Sequence, residues 1–157
     1  MSRRFRRRIH ISTGSVFFDV MPLLAIPMIY YNFVVITGFA GTGDQVAAWM
    51  TAPALSFHMF SGAMLSLSVS DIILFTCMPL LFFEIVKSAR TDALSVLNHI
   101  ISTLTLVVAI VEFVSVPGFS TAVFCLMTLM QLVDVIAGFT VTIVAARRDV
   151  GMPSVVG

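Results

Sequence analysis

The chain has 157 residues, of which 59% are hydrophobic and 11% charged, with a formal net charge of +1 and a mean hydropathy of +1.05. An ordinary soluble domain carries about 45–50% apolar and about 25% charged residues. The composition therefore excludes a soluble globular enzyme, a disordered chain and a nucleic-acid-binding domain, and the length allows one domain. The expected fold is an all-α integral membrane protein, a four-helix transmembrane bundle covering residues 1–157.

In chain order, the first segment is a basic arm at residues 1–10 carrying Arg3, Arg4, Arg6, Arg7 and Arg8. It is expected to orient the protein and to touch anionic lipid headgroups, at about 1 kcal/mol per arginine. The first apolar run covers residues 16–39. Its length of about 24 residues exceeds the 7–15 of a signal-peptide core, so it reads as a retained span despite the small-x-small pattern Gly38-Phe39-Ala40. A short helix with Asp44 as its N-cap is expected next, on the outer surface, with the apolar run around Trp49 facing lipid. Further spans are expected at residues 55–85, 94–116 and 121–145. Each exceeds the about 20 residues a crossing needs, and each is read as helix because lipid cannot satisfy the backbone of an open strand.

All nine basic residues fall on one side of this arrangement. Five lie in the arm, Lys87 and Arg90 separate spans two and three, and Arg147 and Arg148 follow span four. The positive-inside rule then makes both termini cytoplasmic, with Tyr30, Tyr31 and Trp49 near the outer surface. The expected location is a bacterial inner membrane.

Polar side chains at membrane depth are costly and mark candidate sites. Counting about 1.5 Å per residue from the basic residues places Asp19 at about 16 Å, His99 at about 13 Å, Asp134 at about 19 Å and Asp71 at about 24 Å. These four form a candidate intramembrane polar or proton site, with Asn98 and Gln131 bordering it. In span three, Asn98, Ser102, Thr105, Ala109 and Glu112 recur at helical spacing as one polar and small stripe. In span four, Gln131, Asp134, Gly138 and Val141 make a second. Gly62, Ser66 and Ser70 read as a small-xxx-small packing ladder within span two. His58 and Glu112 are placed together near the outer surface as a candidate pair, and Glu84 is expected to be a solvated carboxylate at the cytoplasmic edge.

His58 and His99 are too far apart in depth to ligate one haem, and neither a zinc-spaced cysteine cluster nor a nucleophile, metalloprotease or phosphate-loop motif is present. No cofactor, metal or nucleic-acid partner is expected, and no enzymatic activity. The expected function is a structural or accessory subunit of a larger membrane complex, with other membrane subunits or further copies of the chain as partners. The alternative is a small proton- or cation-coupled carrier or channel that uses the acidic layer.

Overall fold

The computed structural model of the protein describes residues 18–89 and 93–150. The arginine arm, Arg90 and the Arg148 side chain lie outside what is described. Among the described residues, three helices are long and apolar enough to cross a membrane: Val69–Ser88, Leu94–Ser115 and Ala122–Val144. In chain order the elements are α1 (Ala25–Ile36), α2 (Asp44–Thr51), β1 (Pro53–His58), β2 (Met64–Ser68), α3 (Val69–Ser88), α4 (Ala93–Ser115), a 3-10 turn at Pro117–Phe119, and α5 (Ala122–Val150).

Two of the expected spans take a different form. The run at 16–39 is not one helix. Residues 18–20 are helical and give way to a turn before α1 begins. Pro22 sits in that turn; its ring would clash with the carbonyl four residues back and it has no N–H to continue a ladder. The 12 residues of α1 reach only about 18 Å, short of the about 30 Å of a hydrocarbon core.

The run at 55–85 is a β-hairpin followed by a helix. Leu55 pairs with Leu67, Ser56 with Ser66, Phe57 with Leu65 and His58 with Met64, antiparallel. Opposed residues share a face of a two-stranded sheet. One face therefore carries Leu55, Phe57, Leu65 and Leu67, and the other carries Ser56, His58, Met64 and Ser66. Between the strands the chain reverses through a loop closed by Met59 N donating to the Ala63 carbonyl at 2.8 Å. Gly62 in this loop has φ of 83°, a left-handed conformation that a Cβ disfavours. The expected ladder of Gly62, Ser66 and Ser70 is thus corrected: Gly62 is a turn residue, Ser66 lies on a strand and Ser70 in the first helical turn, so they share no helical face.

Ser68 starts α3. Its hydroxyl accepts from Asp71 N at 3.2 Å, and the Asp71 carboxylate accepts from Ser68 N at 2.8 Å. This reciprocal capping box satisfies backbone donors that every helix start leaves free. α2 occurs where a surface helix is expected, but its N-cap is Gly43 with no side-chain cap, and Asp44 lies in the first turn. Its apolar face is also corrected: Val46 and Met50 are buried in the protein core rather than turned to lipid.

α5 is the central helix. Of its spanning stretch 44% is buried, against 17% for that of α3 and 22% for that of α4. It packs on both neighbours. At its start, where the 3-10 turn and α2 meet α1, lies an aromatic cluster. Tyr31 is fully buried, with its ring centroid 4.9 Å from that of Phe124 and 5.5 Å from that of Phe119. Its hydroxyl donates to the Gly118 carbonyl at 3.2 Å and shares a 2.6 Å hydrogen bond with Thr121 Oγ1. Tyr31 is thus a core residue and not the interfacial aromatic its neighbours suggest; burial of a phenol is tolerated because the O–H has partners.

Candidate intramembrane polar site

The opposite end of the bundle is organised by charge. Glu84 on α3 is completely buried, and the Lys87 ammonium, one turn on and 14% exposed, lies 3.1 Å from Glu84 Oε1. Glu84 Oε1 also accepts from Asn98 Nδ2 on α4 at 2.6 Å. Glu84 Oε2 accepts from the Leu23 backbone N–H at 2.9 Å. Lys87 Nζ donates to the Met21 carbonyl at 2.8 Å and to the Phe18 carbonyl at 3.2 Å. The pair therefore binds the backbone that Pro22 releases from helical hydrogen bonding. Non-helical backbone at membrane depth is tolerated only where protein re-satisfies it, and this ion pair does so on both the donor and the acceptor side.

Glu84 is consequently not the solvated carboxylate expected from its place near Lys87. Spacing of three on a helix identifies the ion pair, but the broken segment that buries it comes from more than sixty residues earlier.

Next to this clamp, α4 and α5 bring a layer of polar side chains together. Asn98, Ser102, Gln131 and Asp134 are all at most 3% exposed. Gln131 Nε2 donates to the Ser102 carbonyl at 3.3 Å and to Asp134 Oδ2 at 3.4 Å. The Ser102 hydroxyl lies against the Asp134 carboxyl. Among the described residues, Asn98 Oδ1, His99 Nε2 and Gln131 Oε1 are buried without a partner. The helical stripes on α4 and α5 thus face protein, as their spacing requires.

His99 meets α5 edge-on. Its ring centroid is 4.7 Å from that of Phe139, and the ring occupies the space that a Cβ on Gly138 would need. It lines a cavity of about 170 Å³ with Phe139, Thr103 and Thr142.

Of the four residues expected in one layer, His99 and Asp134 are close enough to Glu84 to feel its charge. Asp19 lies in the helical residues 18–20, level with Lys87, because the flanking carbonyls of Phe18 and Met21 bind that ammonium. Asp71 is corrected: it belongs to the capping box at the far end of α3, 13 residues from Glu84 and so about 20 Å away along the helix. His58 and Glu112 do not pair either. His58 is exposed on the hairpin, while Glu112 Oε2 accepts from Asn32 Nδ2 at 3.1 Å. Both cysteines are free, and among the described residues no three His, Cys, Asp or Glu side chains are grouped as metal ligands.

The arrangement can do three things chemically. It can fix helix packing, hold a positively charged guest on its oxygen atoms, or pass a proton between carboxyl and hydroxyl groups. Comparison with known proteins does not choose among them: no family model, curated protein or solved structure matches this chain.

Proposed function

We propose that this protein is a small multi-pass subunit of a larger membrane assembly, held in a bacterial inner membrane with its basic end in the cytoplasm. The observation that supports this reading is the hairpin at residues 53–68. Leu55, Phe57 and Leu65 on its apolar face are each more than 40% exposed. An isolated two-stranded hairpin is marginal on its own and gains stability from a third strand or a packing surface. Its outer edges also present unpaired backbone groups that another polypeptide can continue. The occupant in this reading is a second membrane polypeptide that packs on the Leu55–Phe57 face. The one-sided basic residues support the orientation.

The test is purification in mild detergent, comparing the native chain with a Phe57→Ser, Leu65→Ser variant. The reading expects a partner at fixed stoichiometry that the variant loses while keeping its own helical content. A native chain that runs as a lone monomer, or a partner retained by the variant, would overturn it. An impermeant thiol reagent tests the orientation: a cysteine placed at Thr42 should react in intact cells and one placed at Ser88 should not.

A proton- or cation-coupled carrier is the second reading, favoured by the unpaired oxygens between α4 and α5. Ion movement by the purified chain reconstituted alone would establish it over the first.

A further inference from the structure

We propose that Asn98, Ser102, Gln131 and Asp134 form a binding site for a small desolvated monovalent cation, with sodium as the guest. The inference is independent of the assembly reading, because a resident cation would brace α4 against α5 whether or not it ever moves.

The hydrogen bonds fix which end of each amide is committed. Asn98 Nδ2 is committed to the Glu84 carboxylate, so its oxygen is the unpaired end. Gln131 Nε2 points at two acceptors, the Ser102 carbonyl and Asp134 Oδ2, so its oxygen is the unpaired end as well. Reversing either amide would set oxygen against oxygen. This leaves two buried amide oxygens without partners, close to the Ser102 hydroxyl and the buried Asp134 carboxylate that it lies against. Both amide donors are spent on acceptors, and the two amide oxygens are left with lone pairs that no donor meets. Buried polar groups are normally satisfied, and a set of orphans in a native interior points to an ion or water.

Charge selects the guest. The Glu84 carboxylate is matched by Lys87 at 3.1 Å. Asp134 has no ion-pair contact among the described residues. One carboxylate with no cation in contact, beside neutral amide and hydroxyl oxygens, suits a single positive charge. A calcium ion takes 6–8 oxygens, usually from several carboxylates, and magnesium demands a near-octahedral shell. Copper and zinc favour nitrogen or sulfur. His99 Nε2 is also unpaired, but it is a nitrogen beside Phe139 and borders the cavity formed with Thr103 and Thr142.

The experiment measures thermal unfolding of the full chain in detergent with sodium, potassium or N-methyl-D-glucamine chloride at equal ionic strength, together with retention of radiolabelled sodium. The expected result is a saturable rise in Tm with sodium, since a ligand of the folded state stabilises it by mass action. One labelled ion should be retained per chain. Asp134→Asn should abolish both. Ser102→Ala removes one neutral ligand with little change in shape, and should weaken sodium affinity by about tenfold while leaving the sodium-free Tm nearly unchanged. This keeps the test decisive if the Asp134 variant fails to fold. Equal Tm in all three salts with no retained ion would overturn the proposal and leave a water-filled layer. A sodium effect that survives both substitutions, or a larger effect of potassium, would overturn it too.

Discussion

The two ends of this bundle are built on opposite principles. At the hairpin end, apolar and aromatic side chains make the core, and Tyr31, Phe119 and Phe124 close around the turn between α4 and α5. Every element there starts and stops by rules its own neighbours supply: the Gly62 loop, the Ser68–Asp71 capping box, the Pro117 turn. At the basic end, a broken backbone is held by charged side chains from a distant helix, and polar groups fill the space between α4 and α5. The difference teaches where a membrane protein puts its polar cost. Regular helices satisfy themselves and need only packing, whereas an interrupted one needs donors and acceptors brought from elsewhere.

Breaking the clamp should have the largest effect. Glu84→Leu leaves the Leu23 N–H and the Lys87 ammonium without their carboxylate. Loss of one partner of a buried ion pair costs about 3–5 kcal/mol, to be read from unfolding in detergent. If the clamp reading is right, adding Lys87→Met should recover part of that loss, and a purely additive double variant would count against it.

Gly138 tests the polar layer by sterics. Gly138→Ala drives a methyl group into the His99 ring, which Phe139 backs from the side. Overpacking of this kind costs about 1–3 kcal/mol. His99→Ala in the same chain should relieve it, while an unconditional loss would mean the clash lies with the backbone.

Ser68→Ala tests the opposite end, where effects should be local. Removing an N-cap hydroxyl costs about 0.5–2 kcal/mol. Hydrogen exchange should show the loss confined to the first turn of α3, with protection around Glu84 unchanged. The smallest effect on stability is expected on the hairpin face. Phe57→Ser should stay within about 0.5 kcal/mol in the isolated protein, and its consequence should appear only in assembly. A Phe57 variant that unfolds would show that the face is already covered by this chain.

Much of the hairpin end is legible in the sequence once the right period is used. Leu55-Ser56-Phe57-His58 and Leu65-Ser66-Leu67-Ser68 alternate apolar and polar, the signature of a strand with one buried face. Phe60-Ser61-Gly62 between them supplies the loop. Ser68-x-x-Asp71 before an apolar run is the capping-box pattern that starts a helix. A search for about 20 apolar residues averages over all of this, because the mean hydropathy of an alternating hairpin joined to a helix still satisfies the length criterion. That averaging puts Asp71 at mid-depth, whereas its spacing to Ser68 marks a helix end.

By itself the sequence determined the membrane class and the inward faces of α4 and α5. Each follows from composition or from a period of 3.6 residues, quantities that neighbouring residues carry. Only the tertiary structure decided that α1 is too short to cross, that Glu84 is buried against Lys87, and that Ser102, Gln131 and Asp134 meet between α4 and α5. Those facts depend on which backbone groups Pro22 sets free and on which side chains from α3 reach them. No local pattern encodes contacts across sixty residues; they exist only once the helices have packed and every buried donor and acceptor has been assigned a partner or left without one.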